Sequence, residues 1–330
     1  MPEHGSTTHT KKASKIGVAN TRLDPGGLVD ADLDTLCTAL YVKIDDELKI
    51  RPELRRRRPE VGLCPKLSDA ELISLCVVQA LLGFSSETRF LRFAKEHLRH
   101  LFPYIPGQSG YNKRLRRAGD QLTAIIRLLA TETDCWLDDT WLVDSTPVEC
   151  GRSHETARRS DLAGFAGYGY CASHSRFFWG LRLHLVCTPA GLPVSFALSN
   201  PKADEREVLR DMLEIEPGLL RCGQVIMADK GYRSAELEAF LASHGVTLIR
   251  PALAREPQRP GRHLLRPLRQ IIESVNQTLK AQLDLERHGG RTVVGVFTRV
   301  LQRLLALTAA IWHNGLTGDC PLRSLIAYDH

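Results

Sequence analysis

The sequence predicts an α/β protein in which an all-α N-terminal region precedes a mixed β-sheet with helices on its faces. Apolar residues recur with helical spacing from residue 28 to about residue 135. After Asp138 the pattern changes to the short apolar runs and strict alternation of β-strands. Strand and helix patterns then follow one another to the end of the chain, which is typical of a sheet covered by helices.

Composition and cysteine usage limit the class of protein. The chain has 330 residues, 43% of them hydrophobic and 25% charged, which is usual for a globular protein of about two domains. Its nine cysteines include no C-x-x-C pair, which argues against a zinc ribbon or a disulfide framework and favours a reducing, cytosolic setting. The start of the chain lacks the apolar core of a signal peptide. The apolar run from Leu72 to Phe84 is too short to cross a bilayer, so no membrane partner is expected.

The net charge of +6 is unevenly spread. Arg55 to Arg58 are four consecutive arginines, and Lys113 to Arg117 holds four basic residues in five. Patches of this kind favour contacts with phosphate groups, although any one of them can equally be a solvated surface.

The first part of the chain is predicted to be a loose tail, residues 1–27, followed by a helical domain, residues 28–135. Helices are indicated around Leu33–Ile44, from a capping box at Ser68–Glu71, at Ser86–His97, and in a basic segment at Tyr111–Ala130. Short helices of which the last is basic resemble a helix-turn-helix DNA-binding module, although any small helical bundle shows this pattern. Candidate phosphate contacts in the basic segment are Arg114, Arg116 and Arg117.

The second part of the chain, residues 136–330, begins with a strand at Trp141–Asp144, after which Pro147 prevents a helix. A Gly-rich loop is expected at 149–175. Phe177–Cys187 alternates, with Arg182 and His184 on the polar face, and forms a hairpin with Leu192–Leu198. The remaining predicted elements are a helix at Asp204–Leu213, a strand at Val225–Asp229, a helix at Ser234–Ser243, a strand at Val246–Arg250, and helices at Pro267–Arg287 and Thr292–His313.

This element order is that of the ribonuclease H-like fold. In that fold the first and fourth strands lie side by side at the centre of the sheet. The ends of these strands would bring Asp144 and Asp229 together, although they are 85 residues apart in sequence.

Three acidic residues stand out by their local sequence. Asp144 and Asp229 each end an apolar run, and Glu273 lies inside a helical pattern. Two carboxylates at strand ends and a third on a helix can converge on one point. Such hard oxygen ligands suit Mg²⁺. In a basic protein, this combination indicates chemistry on the phosphodiester backbone of nucleic acid.

The helix around Glu273 has two stripes. The apolar stripe consists of Leu268, Ile272, Val275 and Leu279, and the charged stripe of Arg266, Arg269, Glu273 and Lys280. Glu273 lies about 100° round the helix from Ile272, at the border of the apolar stripe, where a side chain can reach the edge of a sheet. The helix alone is equally consistent with an exposed Arg269–Glu273 ion pair.

These motifs resemble those of the DDE-type transposases of bacterial insertion sequences. Arg269, Glu273 and Lys280 match the last three residues of the family's Y-(2)-R-(3)-E-(6)-K motif. Arg266 stands in place of the tyrosine, where an arginine can bind the same phosphate. Asp229-Lys230-Gly231-Tyr232 resembles the D-[KR]-[GA]-[YF] element, and Asp144-Ser145-Thr146 resembles the D-[ST]-T/F element. Further familiar segments are G-Y-G-Y-C at 167–171, I-E-S-V-N at 272–276 and S-L-I-A-Y-D at 324–329.

The resemblance, which covers residues 138–330 well, implies a transposase that binds terminal inverted repeats and cuts and joins DNA. It implies that Asp144, Asp229 and Glu273 are catalytic and hold two Mg²⁺ ions, for which Mn²⁺ can substitute, with Asp144 bridging both. The implied phosphate-binding residues are Lys230, Arg266, Arg269 and Lys280. Inverted-repeat and target DNA would be the partners, bound by a homodimer or larger assembly in the cytoplasm, at the nucleoid. A nuclease of the same fold without strand transfer and a catalytically idle DNA-binding derivative are the alternatives.

Other polar residues have simpler interpretations. Asp138 and Asp139 are expected to cap a turn before the first strand, and Glu149 and Asp161 to lie on the surface. The segment Asp204–Glu207 is expected to be an ordinary helix start, since acidic residues favour the N-terminal end of the helix dipole. The histidines show no metal-binding spacing, and we expect surface or local hydrogen-bonding roles for them.

Overall fold

The computed structural model describes residues 31–55, 64–171, 175–254, 256–259, 261–317 and 325. The predicted tail, most of the Arg55–Arg58 cluster and all of the S-L-I-A-Y-D segment except Leu325 lie outside the described residues.

Five α-helices form the N-terminal region within the described residues. They are α1 (Ala31–Ile50), α2 (Asp69–Leu81), α3 (Glu87–His97), α4 (Gln108–Arg116) and α5 (Gly119–Thr131). The predicted capping box is confirmed, because Ser68 Oγ accepts the Glu71 N–H at 3.0 Å and the Glu71 carboxylate accepts the Ser68 N–H. The single basic helix predicted at Tyr111–Ala130 is wrong. The chain turns at Arg117–Ala118, which separates the basic helix α4 from the apolar helix α5.

In the part of the chain that the structure describes, the sheet has six strands: β1 (Thr140–Gly151), β2 (Gly167–Cys171), β3 (Arg176–Cys187), β4 (Pro193–Ser199), β5 (Val225–Met227) and β6 (Thr247–Ile249). The strand order is β2-β3-β1-β5-β6. Strand β4 pairs with the same edge of β3 as β2 does, but β2 pairs with the first half of β3 and β4 with the second half. Strands β1, β5 and β6 are parallel, whereas β3 is antiparallel to β1. Without β2, the order β4-β3-β1-β5-β6 is that of the ribonuclease H-like fold, so the predicted fold class is confirmed.

The predicted hairpin is confirmed, with Leu183 opposite Leu198. The long loop predicted at 149–175 is wrong, because this segment contains the end of β1, helix α6 (His154–Arg159) and strand β2. Glycines in the G-Y-G-Y-C segment serve close packing and do not mark a loop. A Cβ on Gly169 would lie 2.6 Å from the Pro201 side chain and 2.7 Å from the Phe178 ring.

Strand β1 is much longer than predicted and continues seven residues beyond Asp144. Its antiparallel partner β3 runs beside it as far as Gly151, whereas pairing with β5 stops at Leu142. Pro147 therefore lies where β1 has a described strand on one side only, and a residue without an N–H is tolerated there.

Helices cover both faces of the sheet. Helices α9 (Arg262–Gln277) and α10 (Val293–Thr317) share one large apolar core with α1 to α5 and one sheet face. Helices α7 (Glu205–Ile215) and α8 (Ala235–Ser243) enclose a smaller core on the other face. Helix α9 begins five residues before Pro267, and it ends at Gln277, where a π-helical turn, Thr278–Gln282, follows.

Helix α10 is the most apolar long helix in the described part of the chain. By length and composition it could cross a membrane, but 83% of its most apolar window is buried inside the molecule. Burial of this kind is typical of a core helix, and α10 packs against α5, α2 and α1.

Candidate active site

A cleft lies where β5 ends beside β1. The last paired residues of these strands are Leu142 and Met227, and two residues farther along each strand stand Asp144 and Asp229. Glu273 reaches the same cleft from α9. The fold therefore places the three acidic residues singled out by the sequence around one cavity.

Asp144 is the most enclosed of the three carboxylates. Its Oδ2 accepts a hydrogen bond from Asn276 Nδ2 of α9 at 2.8 Å. Burial raises the pKa of Asp144 to about 6, and the negative charges of Asp229 and Glu205 add to the rise, against a hydrogen bond from the Ser145 backbone. The positive charge of Arg269 partly offsets these negative charges, and a bound cation would offset them further.

Asp229 is exposed and caps the short turn that follows β5. Its Oδ1 accepts the Gly231 N–H at 2.7 Å. A Cβ on Gly231 would lie 2.9 Å from Asp229 Oδ1 and 3.6 Å from Glu205 Oε2. The missing side chain of Gly231 therefore leaves open space between two carboxylates.

Glu273 forms an ion pair with Arg269 one helical turn away, at 2.8 Å. This is the alternative that the helix pattern had left open. The side chains are 56% and 69% exposed, and exposed pairs at this spacing contribute only about 0.3–0.5 kcal/mol. Glu273 can leave Arg269 and turn into the cleft at little cost.

The donor groups fit a divalent cation in their chemistry. They are carboxylate oxygens, which Mg²⁺ and Mn²⁺ prefer. Space beside Gly231 and the two acidic neighbours of Asp144 also suit a cation. As the side chains stand, however, no three acidic, histidine or cysteine residues of the described chain are close enough to hold one ion.

Basic side chains flank the acidic cleft on both sides. Arg269 and Lys280 line the cleft itself, and Lys280 belongs to the π-helical turn, a distortion that is frequent at functional sites. Along α9, a neighbouring groove is lined by Arg266 with Arg259 and Arg262. Lys230 lines a third groove with Arg206 and Arg233. The four predicted phosphate contacts of this half of the chain thus border one continuous surface around the acids.

The three arginines predicted in the basic helix differ in their surroundings. Arg116 and Arg117 are exposed on α4. Arg114 instead donates to the Leu67 and Ser68 carbonyls and pairs with Asp69 at 2.8 Å, which holds α4 to the start of α2. The structure gives Arg114 a structural role, and its predicted phosphate contact stays untested.

Several residues of the cleft are not predicted by the sequence reasoning. Asn276 follows Glu273 by three positions on the same helix face, which is a signal that could have identified it. Glu205 lies at the expected helix start, as the first residue of α7, and its side chain also lines the cleft and accepts a hydrogen bond from Ser145 Oγ at 2.8 Å. Arg182, on the predicted polar face of the hairpin, pairs with Glu205.

The remaining polar predictions have mixed outcomes. Asp138 caps a turn as expected, because its carboxylate accepts the Thr140 N–H at 2.8 Å. The surface role expected for Glu149 is wrong, since its side chain is 10% exposed and pairs with Arg152 and Arg176. His184 is buried and makes a local hydrogen bond with Ser199 Oγ at 2.8 Å.

Comparison with known proteins identifies the family. The family model described as "Transposase DDE domain" matches residues 136–309, a little over half of the chain. The chain belongs to this transposase family. No curated protein was found to match it in sequence. Among solved structures, the cryo-EM structure of the piggyBac transposase synaptic complex with hairpin DNA is similar over 89% of this chain and 76% of that chain, with a TM-score of 0.38 and 10% identity.

The span matched to the DDE transposase family includes all three acidic residues of the cleft. It also includes Glu205, Arg269 and Lys280. The cleft at Asp144 is therefore the candidate active site of this DDE transposase.

Proposed function

We propose that the chain is the transposase of a bacterial insertion sequence, which binds terminal inverted repeats and catalyses metal-dependent cleavage and strand transfer. The observation that carries this proposal is the shared cleft. Asp144, Asp229 and Glu273 are the acidic residues of three separate motifs, and all line one cavity that basic side chains surround.

Each residue of the cleft has a proposed role. Asp144 and Asp229 hold Mg²⁺ ions, and Glu273 joins them after leaving Arg269. Two such ions would activate the attacking water or 3′-hydroxyl and stabilise the leaving oxygen. Arg269, once released, and Lys280 bind the phosphates next to the scissile bond, and such charge-assisted contacts position the backbone.

DNA outside the active site follows the basic grooves in this proposal. Arg266 and Lys230 contact phosphates on either side of the acidic cleft. Arg116 and Arg117 contact the inverted repeat from α4, where both are exposed. The protein acts at the nucleoid, and cutting two ends together favours a homodimer or larger assembly on DNA.

The test is cleavage of DNA that carries the gene's own flanks, in Mg²⁺ or Mn²⁺, by the wild type and by Glu273→Gln. Glu236→Gln serves as a matched control, because Glu236 is an exposed helical acid that does not line the cleft. We expect cuts at the repeat ends and joined products from the wild type and the control, and neither from Glu273→Gln.

Other outcomes separate the alternatives. Cuts without joined products would favour a nuclease of the same fold. Binding to the flanks without any cleavage by the wild type would favour a DNA-binding derivative. Equal cleavage by wild type and Glu273→Gln would remove Glu273 from the site.

A further inference from the structure

Glu205 approaches the acidic cleft from the side opposite Glu273. It is the first residue of α7, and its Oε1 accepts a hydrogen bond from Ser145 Oγ at 2.8 Å. The same oxygen pairs with the Arg182 guanidinium. Since Ser145 directly follows Asp144 on β1, the Glu205 carboxylate is held next to Asp144.

Side chains from opposite faces of the sheet come together in this cleft because the pairing of β1 with β5 ends at Leu142. Neighbouring residues of a strand point to opposite faces, so Asp144 points toward α9 and Ser145 toward α7. Where β5 lies beside β1, the sheet separates these faces. Beyond Leu142 that pairing has ended, and side chains from both faces line one cleft.

The second oxygen of Glu205, Oε2, faces the space beside Gly231 that separates Glu205 from Asp229, here called the gap. The position of a Cβ on Gly231 is 3.6 Å from Glu205 Oε2 and 2.9 Å from Asp229 Oδ1, so the two oxygens are at most 6.5 Å apart. Two ions about 4 Å apart, each with metal–oxygen distances of about 2 Å, are bound by ligands at such separations. Glu205 can therefore keep Arg182 with Oε1 and offer Oε2 to a cation.

Tyr232 is a buried tyrosine close to the same carboxylates. Its side chain is fully buried, and its hydroxyl has no hydrogen-bond partner within the described structure. Burial, followed by the charges of Glu205, Asp144 and Asp229, raises its pKa, so the hydroxyl lies within electrostatic reach of these three carboxylates.

We propose that Glu205 is a fourth acidic residue of the cation site, binding the ion through Oε2 beside Asp229 and Asp144. This inference rests on the proposed function. Arg182 neutralises Glu205 when the ion is absent and holds the carboxylate in place when the ion binds. Since none of the family motifs that identify the site includes Glu205, the assignment comes from its contacts alone.

Mn²⁺ binding to the full chain without DNA, measured by electron paramagnetic resonance, tests the proposal. Glu205→Gln keeps an acceptor for Ser145 and Arg182 but loses the charge. Glu207→Gln is the matched control, an exposed acid on the same turn of α7. We expect Glu205→Gln to bind Mn²⁺ at least tenfold more weakly or to lose one bound ion, and Glu207→Gln to bind like the wild type.

Unchanged Mn²⁺ binding by Glu205→Gln would overturn the proposal. If this variant fails to fold, Glu205→Asp, which keeps the charge but shortens the side chain, is expected to weaken Mn²⁺ binding in a folded protein, and wild-type affinity would again overturn the proposal. Asp144→Asn distinguishes failure of the proposed function from failure of this inference. If it loses Mn²⁺ and DNA cleavage while Glu205→Gln keeps both, the proposed function stands and this inference fails. A wild type that neither binds Mn²⁺ nor cleaves DNA contradicts both.

Discussion

Asp144 is set in place by two structural partners. Strand β3 holds it opposite Leu185, and Asn276 on α9 holds its carboxylate. Asp229, by contrast, is held by a turn of its own segment. Asp144 is therefore the more buried of the two aspartates, and burial raises its pKa to about 6.

His288 is expected to make the stability of the folded protein depend on pH. It is buried, its Nδ1 accepts the Gly290 N–H at 3.0 Å, and its Nε2–H donates to the Glu149 carbonyl at 3.0 Å, so both nitrogens suit the neutral ring. Burial and the positive Arg303 lower its pKa from 6.5 to about 4. A shift of this size corresponds to about 3 kcal/mol.

Proton binding by His288 determines how the free energy of unfolding changes with pH. The unfolded chain binds this proton near pH 6.5 and the folded chain only near pH 4, so stability is full above pH 6.5 and falls as the pH drops toward 4. In urea unfolding, we expect His288→Gln to lose less stability than the wild type between pH 7 and pH 4.5. Parallel pH profiles of the two proteins would contradict this assignment.

Motif residues were accessible to sequence reasoning because each carries a local signal. Asp144 and Asp229 end apolar runs, and Glu273 lies at a fixed spacing from Arg269. Glu205 and Arg182 carry no such signal. Their contact joins a helix start to the middle of a strand, 23 positions away, and only the folded sheet brings them together.

Strand β1 extends farther than its local sequence pattern predicts. Its first four residues are apolar enough to predict a strand, but Pro147 and the polar residues after it are not. The continuation depends on β3, which pairs with β1 through Gly151. A strand stabilised by one long antiparallel partner can run through residues that disfavour strands locally.

Gly180 lies where the backbones of β3 and β1 approach each other closely. It faces β1 at an irregular pairing between Glu149 and Gly151, and a Cβ there would lie 2.1 Å from the Val148 carbonyl oxygen and 2.9 Å from the Cys150 nitrogen. Both atoms are backbone, so the strands must separate. We expect Gly180→Ala to lower the free energy of unfolding by about 1–3 kcal/mol.

Chemical denaturation with a matched glycine checks this expectation. Gly218 has no heavy atom within 4 Å of the position that its Cβ would take. Gly218→Ala should leave stability close to that of the wild type. Equal stability of Gly180→Ala and Gly218→Ala would show that β1 and β3 do not approach each other as described.

At the scale of the whole molecule, α10 joins the N-terminal helices to the sheet. Residues from both parts of the chain share one apolar core. A buried polar network crosses it, in which Arg299 of α10 pairs with Glu87 of α3, and Gln108 and Asn112 of α4 donate to the same carboxylate at 2.8 Å each. The domain boundary near residue 135 stays a prediction, since this core extends across it.

Glu87→Gln is expected to weaken this connection strongly. It leaves the buried Arg299 charge without a carboxylate partner, and breaking a buried pair in this way costs about 3–5 kcal/mol. Glu96→Gln on the same helix is the control, because that side chain is 73% exposed. Thermal unfolding measured for both variants should show a large loss for the first and almost none for the second. Similar melting temperatures would exclude an important role for the pair.

The fold class, the hairpin and the family could be predicted from the sequence, because they depend on periodicity and on motifs within short segments. The second strand of the sheet could not, since its glycines suggest a loop until Pro201 and Phe178 pack against them. The division of the basic segment likewise depends on tertiary packing, because α5 packs along α10 whereas α4 contacts α2, α3 and α10.

The central claim is that Asp144 binds a divalent metal ion during DNA cleavage. The most direct test is Asp144→Cys, assayed for cleavage of the gene's flanking DNA with Mg²⁺ and with Mn²⁺. A thiolate is a softer ligand than a carboxylate and suits Mn²⁺ better than Mg²⁺. If Asp144 binds the ion, Asp144→Cys will be inactive with Mg²⁺ and will partly recover activity with Mn²⁺. Full activity of Asp144→Cys with Mg²⁺ would contradict it.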